Sequence, residues 1–245
     1  MNITVTGGNG YIGSHLIPVL KSAGHKVSNY RGDILDFQTY WTTDMVIHLA
    51  SLTGVRQSLE EPEEYYKVNV EGFRKVVEEC EKWEVKLLYA SSSNAEEWWS
   101  NPYAVTKKIT EVMAEDIDAI GFRPHTVYPG RTDMLYHKLK SNVDQITYIN
   151  GGHYRDFTHV EDVCSAILTL VANYCIIEDK VIDIGTGTSK SVLEIALMMG
   201  FCGEVREDLT PNEREETCAD ITVLKNLGWK PTIQIKDYIE NSNSK

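Results

Sequence analysis

The fold is decided near the start of the chain, by the stretch Ile3-Thr-Val-Thr-Gly-Gly-Asn-Gly-Tyr-Ile-Gly13. A short β-branched run leads into glycines, and residues 11–23 then carry apolar side chains at helical spacing. In this context Gly7 lets the chain turn, and Gly10 lets a pyrophosphate approach the N–H groups at the helix N-terminus. Gly13 lets the helix pack closely on the strand. The stretch therefore predicts a dinucleotide-binding turn rather than a purely structural one.

The rest of the chain alternates between short apolar runs and helical stretches. The runs are 45–49, 86–90, 125–128 and 181–184, and the helical stretches lie near 66–82, 103–119 and 160–173. This alternation predicts an α/β fold with a doubly wound parallel sheet, a Rossmann domain. We assign residues 1–130, with 156–188 returning to it, to that domain. Residues 131–155 and 189–245 break the alternation and are assigned to a small substrate-binding lobe.

Composition excludes several classes of function. The 245 residues include 36 acidic and 24 basic ones, and a net charge of -12 argues against a nucleic-acid partner. No apolar run approaches the roughly 20 residues of a membrane helix. A strand follows Met1 almost at once and leaves no room for a signal peptide, so we expect a cytoplasmic protein. The five cysteines show no metal-ligand spacing, and no metal site is expected.

The identity of the dinucleotide depends on the end of the second strand. An acidic residue there normally binds the ribose 2′-hydroxyl of NAD, whereas an arginine favours the 2′-phosphate of NADP. This chain has Arg31 at that point and Asp33 two residues later. NAD and NADP both remain open, and a solvated Arg31 without a cofactor role is an equal alternative.

A second candidate motif combines a strand-end serine run with a tyrosine and a lysine. Tyr103 and Lys107 are four residues apart in a helical stretch and share one face of it. With 13 tyrosines in the chain, this pair alone could equally be a surface pair. The run Ser91-Ser-Ser93 ends a predicted strand, where α/β sheets place their ligands. Together with the glycine turn, these features are typical of a specific catalytic site.

At these residues the sequence resembles the NAD-dependent epimerase/dehydratase family, extended short-chain dehydrogenases/reductases that act on nucleotide sugars. The similar strings run almost from end to end: Thr6-Gly-Gly-Asn-Gly-Tyr-Ile-Gly-Ser14, His48-Leu-Ala50, Pro62-Glu-Glu-Tyr-Tyr-Lys-Val-Asn-Val-Glu-Gly72, Tyr89-Ala-Ser-Ser-Ser93, Pro102-Tyr-Ala-Val-Thr-Lys107, Arg155-Asp-Phe157 and Asp183-Ile-Gly185. Other strings are most similar to the UDP-glucuronate 4-epimerase branch: Gly54-Val-Arg-Gln-Ser58, Asn101-Pro-Tyr-Ala-Val-Thr-Lys-Lys108, Thr126-Val-Tyr128 and Gly130-Arg-Thr-Asp-Met134.

The resemblance implies the chemistry. Tyr103 would take the proton of the sugar 4-hydroxyl while a hydride passes to the nicotinamide, and the 4-keto sugar would turn and be reduced on its other face. The pKa of a phenol is about 10 and must fall by roughly 3 for the group to act as a base near neutral pH, which requires stabilising the phenolate by about 4 kcal/mol. Lys107 and the positive nicotinamide would supply this stabilisation. The family pattern places the catalytic hydroxyl at Ser92, with Ser91 and Ser93 as alternatives.

The resemblance also implies two sets of binding residues. Those expected at the cofactor are Gly7, Gly10, Tyr11, Ile12, Gly13, Arg31, Asp33, Ile34, Leu49, Ala50, Ser51, Asn69, Tyr103, Lys107 and Tyr128. Those expected at the substrate are Thr53, Arg56, Ser93, Thr126, Arg131, Arg155 and Arg214. Arg155 and Arg214 suit phosphate because a guanidinium makes paired hydrogen bonds, although surface ion pairs are the alternative for both. A homodimer through helices 66–82 and 103–119 is expected.

The chain is shorter than the family pattern in two places. The loop, helix and strand that usually follow Arg31 are missing, so the sheet should lack an outer strand. Asn94–Ser100 replaces the loop that normally helps to cover the sugar, and Glu96-Glu97 bring carboxylates that an anionic uronate would meet. Ser93-Asn94 stand where dehydratases have Asp-Glu, which favours simple epimerisation. The sequence thus indicates an NAD-dependent 4-epimerase of a UDP-hexose or UDP-uronate. The alternatives are an NADP-dependent reductase of a keto-sugar nucleotide and an inactive cofactor-binding member of the family.

Overall fold

Strands and helices alternate in the computed structural model, which describes residues 1–130, 134–206, 208, 210 and 212–243. The strands are β1 (Asn2–Thr6), β2 (Lys26–Tyr30), β3 (Met45–His48), β4 (Lys86–Ala90), β5 (Ala119–Pro124), β6 (Thr126–Tyr128), β7 (Tyr148–Asn150), β8 (Tyr154–Arg155), β9 (Phe157–His159), β10 (Val181–Ile184), β11 (Lys190–Ser191) and β12 (Glu204–Arg206). The α-helices are α1 (Tyr11–Ser22), α2 (Val55–Glu60), α3 (Pro62–Tyr66), α4 (Gly72–Lys82), α5 (Pro102–Met113), α6 (Leu135–Asn142), α7 (Val160–Asn173), α8 (Val192–Met198), α9 (Thr222–Asn226) and α10 (Ile235–Asn243). Short 3₁₀ helices cover Ile34–Asp36, Ser93–Ser100, Val143–Gln145 and Tyr174–Ile176, and the π-helical stretch Lys67–Glu71 joins α3 to α4.

The central sheet has six strands in the order β10-β5-β4-β3-β1-β2, and every pair is parallel. Successive side chains of β4 point to opposite faces, with Leu88 packing beside α1 and α7 and its neighbours Leu87 and Tyr89 packing beside α4. Helices therefore cover both faces, which confirms the predicted doubly wound α/β fold. Chain order reverses between β1 and β3, so the crevice beyond the carboxyl end of β1 is where such sheets bind ligands.

The sheet ends at β2, beyond which the described residues add no further strand. This agrees with the segment missing after Arg31. Also within the described residues, no helix is both long enough and apolar enough to cross a membrane.

Two elements differ from the sequence-based boundaries. The predicted helix 103–119 ends at Met113, and the fifth sheet strand is Ala119–Pro124 rather than 125–128. Gly121 lies in this strand beside Tyr89, and a Cβ on Gly121 would come within 2.6 Å of the Tyr89 phenol. Packing between neighbouring strands therefore determines where the fifth strand lies. Residues 126–128 form β6, which pairs with β9 outside the central sheet.

A second, smaller core lies beyond the carboxyl edge of the sheet. Tyr128, Tyr136, Ile149 and Ile195 are among the buried side chains that form it, and the two-stranded pairs β7–β12 and β8–β11 lie in the same part of the chain. Residues 219–229 belong to the segment 189–245 that the sequence assigns to the lobe. Their apolar side chains, including Leu224 and Trp229, pack into the core of the central sheet.

Candidate active site

The glycine turn has the close approaches that its sequence predicts. Gly7 has φ +69°, and a Cβ there would lie 2.6 Å from the backbone nitrogen of Ala50. A Cβ on Gly13 would collide with the Gly7 carbonyl oxygen. Gly10 donates its N–H to that same oxygen at 2.9 Å and directly precedes α1, whose first turn carries no acidic side chain. The positive N-terminal end of α1 is thus exposed to an approaching phosphate.

Behind this turn, a buried hydroxyl and imidazole hold the adjacent backbone. Thr6 Oγ1 and His48 Nδ1 are 2.8 Å apart, and Ala50 donates its N–H to Thr6 Oγ1 at 3.3 Å. Burial, with the charge of Lys107 as the second cause, lowers the pKa of His48 to about 3, so the imidazole is neutral. The sequence assigned no role to this pair, although both residues stand at the ends of predicted strands.

The end of β2 meets the glycine turn through an amide pair. Asn29 Nδ2 donates to Asn9 Oδ1 at 3.0 Å, while Arg31 is exposed. Asp33 uses its carboxylate locally, where Oδ1 accepts from the N–H of Leu35 at 3.0 Å and caps a 3₁₀ helix. The buried Ile34 lies in that helix.

Asn69 braces the loop after β3 against α5. Its Oδ1 accepts from the N–H of Leu52 at 2.8 Å, and its Nδ2 donates to the Leu52 carbonyl at 3.0 Å and to Thr106 Oγ1 at 3.1 Å. Nearby, the Tyr65 hydroxyl donates to the carbonyl oxygen of Thr53 at 2.8 Å. Leu49, Ala50 and Ser51 are half-buried at the start of this loop.

Tyr103 and Lys107 lie at the start of α5, both at least nine-tenths buried. The helix begins where the Asn101 side chain accepts the N–H of Ala104 at 2.8 Å. Lys107 Nζ donates to the Ala90 carbonyl at the end of β4, 2.8 Å away, and lies 5.9 Å from the centroid of the Tyr103 ring. Burial lowers the pKa of Lys107 to about 8, against the charge of Glu111. Lys107 is thus a buried amine beside the ring of Tyr103.

The three serines after β4 are distinguished by their partners. Ser91 Oγ donates to the buried carboxylate of Glu111 at 2.6 Å, and Arg123 binds the same carboxylate through two bonds of 2.7 Å. Although burial raises it, the bonds from Arg123 and Ser91 hold the pKa of Glu111 below its ordinary value. Ser92 Oγ accepts from the backbone and side-chain nitrogens of Asn94 at 3.3 and 3.4 Å. The Ser91 hydroxyl is therefore engaged by Glu111, whereas the Ser92 hydroxyl accepts only from Asn94 within the described part of the chain.

A cavity of about 100 Å³ opens beside Ser93. Its lining residues are Val55, Ser93, Asn94, Thr126, Arg155, Glu213, Arg214 and Thr217. Binding pockets for ligands of drug size span roughly 300–1,000 Å³. The cavity is thus smaller than such a pocket, and ion pairs of Arg155 and Arg214 lie in its wall.

Two arginines predicted at the substrate share one carboxylate here. Glu213 lies 3.7 Å from Arg155 Nη2 and 3.6 Å from Arg56 Nε. Arg155 Nη1 also donates to the Tyr154 and Glu215 carbonyls at 2.8 and 3.0 Å, and burial lowers the pKa of Arg155. Arg155 thus lines the cavity, and Arg56 contacts the same Glu213 from an exposed position. Arg131 lies outside the described residues.

Arg214 binds the segment that joins Ser92 to α5. Its Nη1 donates to the Ser93 carbonyl at 2.7 Å and lies 2.7 Å from a Glu96 carboxylate oxygen. Its Nε lies 3.2 Å from a Glu97 oxygen. Arg214 thus ties the 3₁₀ helix Ser93–Ser100 to the second lobe, a pairing across more than a hundred residues that local sequence patterns do not signal.

The remaining predicted residues lie at the junction of the two cores. The Tyr11 hydroxyl accepts the N–H of Gly130 at 3.0 Å, and Ile12 is half-buried beside it in α1. Tyr128 is 1% exposed and donates its hydroxyl to the Ile233 carbonyl at 3.0 Å. Any contact between Tyr128 and a dinucleotide therefore involves its backbone.

Comparison with known proteins defines the class. The chain belongs to the NAD dependent epimerase/dehydratase family, whose profile matches residues 3–185. It is 28% identical to a putative UDP-glucose 4-epimerase of Methanocaldococcus jannaschii, over 97% of this chain and 96% of the relative. Among solved structures, UDP-glucuronic acid 4-epimerase from Bacillus cereus with UDP-glucuronic acid and NAD is 25% identical, with a TM-score of 0.83 over 98% of this chain and 97% of that one. MoeE5 with UDP-glucuronic acid and NAD is 26% identical, with a TM-score of 0.83 and the same coverage.

Proposed function

We propose that the chain is a nucleotide-sugar 4-epimerase that acts on a UDP-hexose or UDP-uronate through a transient 4-keto sugar with bound NAD. The observation that carries the proposal is the buried Tyr103–Lys107 pair beside Ser92, at the edge of the sheet where the glycine turn lies. Related proteins of known structure hold both NAD and a UDP-sugar.

The glycine turn fits a dinucleotide. A Cβ at Gly7 or Gly13 would fill the close approaches that shape the turn, and the uncapped start of α1 faces the place where a pyrophosphate would bind. Bound at this turn, NAD would supply the hydride acceptor for the sugar C4 and the hydride donor for the opposite face of the 4-keto sugar.

The residues of the chain then have distinct tasks. Tyr103 takes the proton of the 4-hydroxyl and later returns one, and Ser92 holds the same oxygen by a hydrogen bond. Lys107 carries its charge below about pH 8, so at neutral pH it stabilises the phenolate of Tyr103. The neutral His48 adds no competing charge behind the turn.

The cavity arginines are proposed as ligands of the nucleotide diphosphate. Arg155 and Arg56 are positioned for this role once Glu213 moves aside, with Arg214 as a further contact. Thr53, Ser93 and Thr126 would lie toward the sugar. A homodimer through the helices at 66–82 and α5 is also proposed, and a sedimentation mass equal to one chain would contradict it.

The test is the Tyr103→Phe variant, compared with Tyr40→Phe at an exposed tyrosine before β3. Tyr103→Phe should lower turnover of a UDP-hexose or UDP-uronate by about a hundredfold or more, since general base catalysis contributes that much. NAD should be released from both proteins on denaturation. Tyr103→Phe with undiminished turnover would refute the mechanism.

Two other results would replace this function. Stoichiometric consumption of NADPH would indicate a reductase, because an epimerase is redox-neutral. Retained NAD without turnover of any nucleotide sugar would indicate an inactive member of the family.

A further inference from the structure

The 3₁₀ segment Ser93–Ser100, which is kinked at Glu97, and Asn101 form the whole connection between Ser92 and the helix that carries Tyr103. It therefore runs beside the place where the sugar would lie. Two consecutive acidic residues, Glu96 and Glu97, stand in its middle, and their side chains are 31% and 42% exposed. Both contact Arg214, which lines the cavity beside Ser93, so their charge lies one side chain away from that cavity and is only partly screened by water.

Both carboxylates are directed to one cation. Glu96 lies 2.7 Å from Arg214 Nη1 and Glu97 lies 3.2 Å from its Nε, so two negative charges meet one guanidinium. Glu96 also lies 3.4 Å from Arg123, but the two strongest bonds of Arg123 go to the buried Glu111. The charge of Arg214 is therefore already balanced before any ligand arrives.

We propose that Glu96 and Glu97 make this site select an uncharged hexose over a uronic acid at the sugar end of the nucleotide. The inference rests on the proposed function and decides between the two substrate classes that it leaves open.

The sign of the effect does not depend on how Arg214 responds to substrate. If Arg214 keeps both carboxylates, its charge is not available to a third carboxylate on the sugar. If Arg214 turns to the diphosphate, Glu96 and Glu97 are left beside the sugar without their partner. In both cases a uronate carboxylate meets negative charge, whereas a hexose hydroxymethyl group can donate a hydrogen bond to the same oxygens.

The test measures binding rather than turnover. Dissociation constants for UDP, UDP-glucose and UDP-glucuronate would be determined by calorimetry in the Tyr103→Phe background, in which the sugar is not consumed. The variants would be Glu97→Gln, Glu96→Gln and the double substitution, each with its unfolding curve. The control is Glu178→Gln, which makes the same charge change at an exposed residue before β10, at the opposite edge of the sheet.

The protein without these Gln substitutions should bind UDP-glucose more tightly than UDP-glucuronate. Glu97→Gln should lower this preference by about tenfold, which is the repulsion of two unit charges about 12 Å apart at an effective dielectric of about 20. The double variant should lower it further. Any gain in affinity from freeing Arg214 for the diphosphate is shared by UDP and both sugars, so the preference isolates the effect at the sugar, and Glu178→Gln should leave all three affinities unchanged.

Each other outcome decides against one of the two proposals or both. A preference for UDP-glucuronate, or a preference that Glu96 and Glu97 substitutions do not change, would overturn the selectivity. If the Tyr103→Phe protein shows the expected preference but the chain that keeps Tyr103 epimerises neither sugar, the proposed function alone would be overturned. Failure to bind UDP and both sugars would overturn both.

Discussion

Asn69 offers a sharp test of whether the site is held by buried hydrogen bonds or by contact with its cofactor. Its amide makes three of them, with the N–H and carbonyl of Leu52 and with the hydroxyl of Thr106. Asn69→Ala leaves those three partners unsatisfied in a site where Asn69 is 2% exposed. At about 1 kcal/mol for each bond, the free energy of unfolding should fall by about 3 kcal/mol.

Thr106→Val breaks only one of the three bonds of Asn69 and keeps the side-chain shape, so it should cost about 1 kcal/mol more than Thr110→Val. Thr110→Val is the matched control, because Thr110 is equally buried and its hydroxyl likewise bonds the carbonyl three residues earlier. In the Asn69→Ala background, Thr106→Val should cost less than it does alone, since the shared bond is already gone.

Urea unfolding followed by the fluorescence of the five tryptophans gives the free energies, and titration gives the affinity for NAD. If Asn69 braces the loop, the free energy of unfolding and the affinity for NAD should both fall most in Asn69→Ala, less in Thr106→Val and least in Thr110→Val. If Thr106→Val and Thr110→Val have equal effects and Asn69→Ala costs under about 1 kcal/mol, the bracing argument is refuted. If only Asn69→Ala weakens NAD binding, Asn69 contacts the cofactor directly.

Two further substitutions test the charges of the site. Glu111→Gln should lower the free energy of unfolding by about 3 kcal/mol, because it leaves the guanidinium of Arg123 without its paired carboxylate. In the same urea titration, Glu78→Gln at an exposed ion pair should cost under about 1 kcal/mol, and equal losses would contradict the buried pairing. Lys107→Met should raise the free energy of unfolding relative to the original chain, and most strongly below pH 8. The pKa of Lys107 in the folded protein is about 8, below the ordinary 10.5, so below pH 8 the full penalty for burying the ammonium applies. The gain should shrink between about pH 8 and 10.5 as the folded protein loses that proton, and a gain that grows across this range in urea titrations would refute the assignment.

The parts of the fold that the sequence predicted are those with a local cause. The glycine turn and the helix after it need only backbone geometry and apolar spacing, and both are present as expected. The sequence predicts the fifth strand too late in the chain, because the pattern of residues 117–120 fits the end of a helix equally well. Ile120 and Phe122 belong to a strand because they pack into the core of the sheet, which local periodicity does not encode.

The candidate site divides in the same way. Tyr103 and Lys107 share a helical face through their spacing alone, and the structure places them together. The choice among Ser91, Ser92 and Ser93 could not be made locally, because it depends on Glu111, twenty residues later, which binds the Ser91 hydroxyl.

The contacts that hold the catalytic groups differ in kind from those that hold the substrate groups. Lys107 is fixed to the end of β4 by the Ala90 carbonyl, and Ser91 is fixed to α5 by Glu111. Both bonds join the central sheet to the helix that packs on it. Arg214, by contrast, is held by a short acidic segment that replaces a longer loop in the family pattern. We therefore propose that the shortening acts on which sugar is admitted, because the contacts that position Tyr103 and Lys107 lie between the sheet and α5, away from the shortened segment.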